Sequence, residues 1–332
     1  MSAPTRLGEV VGNERLLGLL RTGRTPPSTI FSGPDGVGKK TVALLLAAAA
    51  NCRNPVDRDL CGRCPSCIKA LSGNHPDIVL IQREKNTIEI GTIRKLNQEI
   101  QYRPFEGKTR YFIIDEADRM GPEAANAHLK TLEEPPDFCR IILVTAYPQL
   151  LLSTIRSRCQ TFAFQPLSRQ EIQSCLESDG SMDRAEIRSR FAQGSIGRAI
   201  ALDLDQTLEE RDLMLKILSG WFAHRRFQTV FEAAESNELR PKIKKRDETV
   251  RLLEQIQLIC YDLYYLHVDT PDRVVNHDRI RELQKLTAVT SVESIRDFQK
   301  HVSRAKRDVE RYVNPLMAFE ALWLEDLQEE FS

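Results

Sequence analysis

The chain has 332 residues, 41% of them hydrophobic and 28% charged, with 47 Lys+Arg balanced against 47 Asp+Glu. That length holds about two or three domains, the composition is that of a soluble globular protein, and the charge balance excludes a global basic field that would by itself point to nucleic acid. No secretory signal or membrane span is visible: the longest apolar run, Val42 to Ala50, is far short of the roughly 20 residues a span requires, so the expectation is a cytoplasmic protein without a membrane partner.

Residues 1 to 27 carry one helical pattern, with Leu16, Leu17, Leu19 and Leu20 as its apolar positions, and end in a polar, Pro-containing loop. The stretch Ser28 to Thr41, STIFSGPDGVGKKT, then organises the chain. A short apolar strand (Ile30, Phe31) enters a turn with Gly33, Gly36 and Gly38, followed by Lys39 and a helix-forming run of Val, Ala and Leu. This is the strand, loop and helix of a phosphate-binding loop. Backbone N–H groups and the helix N-terminus face the phosphates, and the lysine reaches the outer ones. One position departs from the motif. Where a Ser or Thr hydroxyl is needed for Mg2+, Lys40 stands, and Thr41 comes one residue late. One helical residue is a rotation of about 100°, and an ammonium opposes a divalent cation. The loop is therefore suited to ATP or ADP but poorly suited to Mg2+-assisted hydrolysis.

Four of the eight cysteines, Cys52, Cys61, Cys64 and Cys67, cluster just after the loop helix with the spacing C-x8-C-x2-C-x2-C. Four thiolates close a tetrahedral Zn2+ site, and the reading is structural zinc in an insert at 52–67, against the alternative of reduced, unligated thiols. His75 lies just beyond and reads as a loop histidine rather than a fifth candidate ligand.

Ile78 to Ile81 reads as a strand, and Ile88, Ile90, Ile93 and Leu96 lead into a helix. Tyr111 to Ile114 is a continuous apolar run, as expected of a strand buried on both faces of a parallel sheet. It ends in Asp115-Glu116-Ala117-Asp118, where a phosphate-loop fold holds Mg2+ (Asp115) and polarises water (Glu116). A helix from about Glu123 to Glu133 stops at Pro135-Pro136, Ile141 to Thr145 is another buried strand, and Leu150 to Ile155 leads to Ser157-Arg158-Cys159. The alternation predicts an α/β fold with a doubly wound parallel sheet. After about Pro166 the strands stop. Residues 167–205 read as a small helical unit, and 206–332 as all-helical. At helical spacing, Tyr261, Tyr264, Tyr265 and Trp323 belong to core or subunit interface rather than to base stacking, and Lys242 to Arg246 reads as a solvated face.

GPDGVGKKT, CGRCPSC, FIIDEADRM, HLKTLEEPP, TIRSRC and the late VNPLMAFEALWL helix together resemble the bacterial clamp-loader subunits of the AAA+ class, above all the delta-prime family of DNA polymerase III. The resemblance spans nearly the whole chain. It implies an AAA+ nucleotide-binding domain at 1–166, a helical lid at 167–205 and an all-α collar at 206–332 that joins subunits in a ring. It also implies gamma/tau and delta subunits as partners, with a sliding clamp loaded onto primed DNA through the assembled complex. Arg158 matches the family's arginine finger, a fixed charge offered to the ATP site of a neighbour.

Three departures from the active family pattern accompany that match. Lys40 replaces the metal-binding hydroxyl. Ala146 stands where active members carry a polar residue sensing the γ-phosphate, and Thr145 beside it faces the other side. Gly197 occupies the lid position of an arginine, and Arg198 comes one step late. The expectation is a stator that has lost hydrolysis, with Glu116 vestigial, yet donates Arg158. The alternatives are a gamma/tau-type ATPase motor, favoured by intact Lys39, Asp115 and Glu116, and a phosphate-loop protein whose zinc module binds nucleic acid. The last lacks a basic recognition helix. No polymerase motif is visible in the sequence.

Overall fold

The computed structural model describes residues 4–22, 25–83, 87–178, 184–224, 227–236 and 239–330. The chain divides into two compact units, Met1–Ala201 and Leu202–Ser332.

The first unit opens with a 3-10 turn at Leu7–Glu9 and helix α1, Glu14–Arg21. Strand β1, Ser28–Ser32, leads through the glycine loop into α2, Lys39–Ala50. The cysteine insert follows, ending in α3, Pro65–Leu71. Then come β2 (Ile78–Ile81), α4 (Ile90–Glu99), β3 (Arg110–Ile114), α5 (Pro122–Glu133), β4 (Cys139–Thr145), the short α6 (Ser153–Arg156) and β5 (Gln160–Ala163). The five strands form one parallel sheet in the order β2-β3-β4-β1-β5. After β1 the chain crosses to the far edge and works back, so the loop leaving β1 opens at the carboxyl ends of strands that are not its sequence neighbours. In an open parallel sheet this is where ligands bind.

The apolar runs of β3 and β4 are long because both sheet faces are covered, and β1, though it has only Ile30 and Phe31 as apolar residues, is buried throughout. Successive residues go to opposite layers. Phe31, Ile113 and Ile142 pack with α2 and all four clustered cysteines. Ile30, Phe112, Ile114, Ile141 and Leu143 pack with Ile93 and Leu96 of α4, Leu132 of α5 and Ile155 of α6. Strand β5 is not anticipated by the sequence pattern: it is a short edge strand, largely exposed, with the polar residues Gln160 and Thr161 and one partly covered aromatic, Phe162. Its place comes from pairing with β1, not from its own hydrophobicity.

Helices α7 (Arg169–Ser178), α8 (Ala185–Phe191) and α9 (Ile196–Ala201) form a small helical subdomain of the first unit. Leu167, Ile172, Leu176, Ala185, Ala192 and Ala199 make its separate core.

The second unit contains α10 (Leu204–His224), α11 (Phe227–Ala234), α12 (Arg240–Ile243), α13 (Arg246–His267), α14 (Ile280–Thr287), α15 (Val292–Glu310) and α16 (Pro315–Glu330). Trp221, Trp323, Phe298 and Phe319 are fully buried and meet at ring-centroid distances of 5.2 to 5.9 Å. Trp221 Nε1 donates to Asp326 at 2.8 Å, which satisfies the indole inside the core. Trp323 is thus core, whereas Tyr261 and Tyr264 are 46% and 42% exposed. Asp262, fully buried on α13, accepts N–H bonds from Val275 and Asn276 and fixes the loop before α14. Lys244 and Lys245 are exposed and Lys242 and Arg246 half-buried around buried Ile243, a largely solvated face.

His128, on α5, is fully buried. Asn97 Nδ2 donates to the Ala127 carbonyl, so Asn97 Oδ1 is left to accept from His128 Nδ1 at 2.7 Å. His128 Nε2 has no hydrogen-bond partner among the described residues. Burial pulls the imidazole pKa down to about 4. In the unfolded chain the group protonates near 6.5, so folding is penalised as pH falls through the window from 6.5 to 4 and is unaffected above it. The full effect is about 3 kcal/mol. Native-state hydrogen exchange of the β3 and β4 amides should therefore show stability falling across that window, with a slope that is shallower in a His128→Leu variant.

Candidate nucleotide pocket and cysteine cluster

A cavity of about 940 Å³ opens at the carboxyl end of the sheet. Its walls are the segment from Pro4 to Val11, the loop and helix start from Asp35 to Thr41, the acidic stretch at Asp115–Arg119, the end of β4 through Tyr147, and Cys175, Ile196, Gly197 and Ile200 of the helical subdomain. The structure therefore gathers Gly36, Gly38, Lys39, Thr41, Asp115 and Glu116 around one space, with Gly33 at the entry to the loop. Arg158 does not line it.

Gly38 caps α2 with φ +94°, a backbone that side chains rarely adopt. That turn points the next residue, Lys39, back over the loop. Lys39 is 5% exposed, and its ammonium donates to the carbonyls of Gly33 at 2.5 Å and Pro34 at 2.7 Å. Burial lowers its pKa, while the carboxylates of Asp35, Asp115 and Asp118 work in the other direction. A phosphate entering this loop has to exchange those carbonyls for its own oxygens.

Lys40 Nζ sits 3.0 Å from Asp115 Oδ2. The carboxylate that a phosphate-loop site uses to hold Mg2+ is thus engaged by an ammonium of the same chain, and the residues present do not fit a divalent cation. Glu116 has φ +48° and is ion-paired with Arg83. Asp118 accepts from Thr145 Oγ1 at 2.5 Å, and Thr145 Oγ1 in turn accepts from Tyr147 N at 2.9 Å. The Thr145 hydroxyl is therefore committed to a carboxylate, and Ala146 adds none.

The helical subdomain sits directly on the loop. Gly197 N donates to Gly36 O at 2.9 Å. A Cβ at Gly197 would stand 2.9 Å from Gly36 Cα and 3.1 Å from Gly36 O. Any side chain there, an arginine included, conflicts with this packing. Arg198 is exposed and donates to Gln193 Oε1 at 2.9 Å, away from the cavity. Arg158, just after α6, donates through Nε to Glu133 at 3.0 Å and through its terminal nitrogen to Thr154 O at 3.1 Å. Sequence reasoning missed Arg83 and Glu133 as partners of these groups. Arg83 had a signal: β2 and β3 pair with Ile81 opposite Ile114, so residues two beyond each strand end are neighbours, but only once the sheet order is known.

Beyond the other end of α2, the sulfur atoms of Cys52, Cys61, Cys64 and Cys67 all lie within 4.8 Å of one another, and all four residues are buried. The Cys61 and Cys67 sulfurs are 3.9 Å apart. A tetrahedral ion with bonds of about 2.3 Å to sulfur needs edges of about 3.8 Å, so the donor set fits a metal ion. Backbone N–H groups of Cys61, Cys64 and Cys67 point at the sulfurs of Cys52, Cys61 and Cys64, at 3.3, 3.4 and 3.5 Å, which favours thiolates. Burial opposes the Cys64 thiolate, but N–H donors from Cys67 and Arg53 and the neighbouring thiols outweigh it and hold the pKa at about 6. His75 is outside the set. Its Nδ1 accepts from Asp77 N, so Nε2 carries the proton to Ser66 Oγ at 3.0 Å.

The family model described as "DNA polymerase III, delta subunit" matches residues 13–168. The DNA polymerase III delta' subunit of Bacillus subtilis is 30% identical over 287 residues, 86% of each chain. The tau subunit of Escherichia coli is 33% identical over 220 residues, covering 63% of this chain and 34% of tau. A gamma subunit-related protein of Thermotoga maritima aligns with a TM-score of 0.46 at 17% identity, over 94% of this chain and 98% of the other.

If the four sulfurs share an ion, a Cys64→Ser variant should lose it, measured as a fall from one metal per chain. Hydrogen exchange across 52–67 should rise with it, since such an ion contributes on the order of 10 kcal/mol to a small insert. The parallel sheet, the helical second unit and the delta' likeness over most of both chains agree: this chain belongs to the delta' family of DNA polymerase III and is a subunit of the clamp-loader type.

Proposed function

We propose that this subunit is a stator of the clamp loader: it helps place the sliding clamp on primed DNA without hydrolysing ATP itself, and Arg158 is its catalytic contribution, made in trans. The observation that carries the reading is the Lys40–Asp115 ion pair at 3.0 Å. An ammonium at that carboxylate supplies the positive charge that a motor subunit takes from Mg2+, but it cannot coordinate β- and γ-phosphate oxygens together. The committed Thr145 hydroxyl and the closed Gly36–Gly197 contact support the same reading. So does the pairing of Glu116 with Arg83, which leaves that carboxylate vestigial as a water-polarising group.

In this reading ATP or ADP binding rests on Gly33, Gly36, Gly38, Lys39 and Thr41 and is metal-independent. The metal at the four cysteines is a structural Zn2+. The gamma/tau and delta subunits are the ring partners, in the cytoplasm, and the lid and collar begin near residues 167 and 206. Among the described residues no helix is long and apolar enough to cross a membrane. Arg158 supports the trans role because it stands outside the cavity of its own chain, held among the described residues by exposed Glu133 and a carbonyl. An exposed pair of this kind is worth about 0–1 kcal/mol, so the guanidinium is free to leave it.

Two measurements test the proposal. The purified chain should show no Mg2+-dependent turnover of ATP. Turnover that requires both Mg2+ and Lys39 would instead make it a gamma/tau-type motor. In the reconstituted loader, Arg158→Ala should leave assembly intact and lower turnover at the one site that it faces by on the order of 10³-fold. Unchanged turnover of the complex would remove the trans role.

A further inference from the structure

The metal cluster and the cavity lie on different parts of the first unit, yet one carboxylate connects them. Between Cys52 and Cys61 the chain makes a tight hairpin: Val56 and Asp59 exchange both backbone hydrogen bonds, at 3.0 and 2.8 Å, around Asp57 and Arg58 at φ +50° and +62°. The hairpin is anchored by a cysteine of the cluster on either side, and it presents Asp59, which is 7% exposed. Asp59 Oδ1 accepts from Leu7 N at 3.2 Å and from Leu60 N at 2.7 Å, and Oδ2 accepts from Gly8 N at 2.9 Å. The Arg21 guanidinium at the end of α1 lies 3.8 Å from Oδ2. Arg6, next to these residues, donates to the Cys61 carbonyl at 3.3 Å.

The segment held this way is one wall of the cavity. Leu7 is 1% exposed and packs in the same core layer as the four cysteines. On the other side of the turn, Pro4, Thr5, Glu9, Val10 and Val11 face the cavity. Glu9 closes the turn by accepting from Thr5 N, Thr5 Oγ1 and Arg6 N at 2.7, 3.0 and 3.2 Å, and Val10 N donates to Leu7 O at 3.3 Å, so residues 5–10 are tied into one turn. Without Asp59, the Leu7 and Gly8 N–H groups at the inner end of that piece lose their acceptor, and a buried donor without one is costly.

We infer that Asp59 is a positioning residue through which the cysteine-bound metal orders the wall of the nucleotide cavity formed by residues 4–11. The inference rests on the nucleotide-pocket and metal readings above, but its primary readout, the order of the wall itself, requires no nucleotide. The cluster fixes the hairpin, the hairpin fixes the carboxylate, and the carboxylate fixes the turn. Loss of the metal therefore reaches the cavity even though no cysteine lines it at that wall.

The test is a cycle on the full chain: wild type and Asp59→Ala, each with zinc bound and after chelation, followed by hydrogen exchange at Leu7 and Gly8 and by titration with a fluorescent ADP analogue. Asp59→Ala should keep one zinc per chain and speed exchange of both amides at least tenfold, with β1 and β4 amides unchanged. Chelation of the wild type should give a similar acceleration, and chelation of Asp59→Ala should add little more. Asp59→Asn, which keeps one acceptor oxygen, should restore part of the protection, and it decides the matter if the alanine variant does not fold. Unchanged exchange in zinc-loaded Asp59→Ala, or accelerations that multiply when the two changes are combined, would overturn the coupling. If the wild type binds no ADP analogue, the nucleotide reading fails while the exchange cycle still decides whether Asp59 couples cluster to wall.

Discussion

A buried ammonium has to be neutralised or solvated by the protein itself, and much of this site follows from that constraint. Lys39 is almost wholly buried at the end of the sheet, and the glycine loop curls so that two of its own carbonyls receive the charge. Next to it Lys40 finds a carboxylate, Asp115. Neither cation awaits a ligand in this arrangement. The phosphate loop has the backbone of a nucleotide site and, at the same time, an internal set of partners that stands in for phosphate and metal.

The subdomain of α7, α8 and α9 completes the closure. Glycine meets glycine where Gly36 and Gly197 approach, and neither position has space for a side chain. Three features that look independent along the chain (Lys40 in place of a hydroxyl, Ala146 at the end of β4, Gly197 in α9) meet at one loop, whose two ammonium groups and the Gly36 carbonyl all have partners from within the chain. A motor needs those groups to change partners with each turnover. A subunit that holds a ring in place does not, and a rigid, self-satisfied loop suits the proposed stator role.

The cysteine insert is more than an appendage on α2. Its sulfurs join the same apolar layer as Phe31 and Ile113, and His75, Ser66 and Asn51 form a hydrogen-bonded chain that ties α3 to the end of α2. Asp77, fully buried, receives N–H bonds from Phe105, Glu106 and Gly107. Those donors outweigh the burial that would raise its pKa, and the carboxyl is held below the usual range. The polar connections around the insert are thus made chiefly by carboxylates and amides to backbone, which is how a small cysteine module is joined to a sheet.

Periodicity and motif spacing determined a great deal. The buried strands β3 and β4 were legible because a strand covered on both faces carries a near-continuous apolar run, and β1 because Ile30 and Phe31 lead straight into the glycine loop. The cysteine cluster was legible because four thiols at that spacing have few other uses, and the glycine loop because its turn demands glycine backbone. That Lys40 stands where the motif carries a hydroxyl was also plain from position alone. Only the tertiary structure decided the rest, since it depends on residues far apart in sequence: β5, which is polar and exists by pairing with β1; Arg83 opposite Glu116 and Glu133 opposite Arg158; the Lys40–Asp115 pair; and Asp59 reaching Leu7 and Gly8. Hydrophobic pattern is a local property of the chain, because it follows from the repeat of helix or strand. The partner of a charge is set by the sheet order and by which loops that order brings together, and neither is written in any one segment.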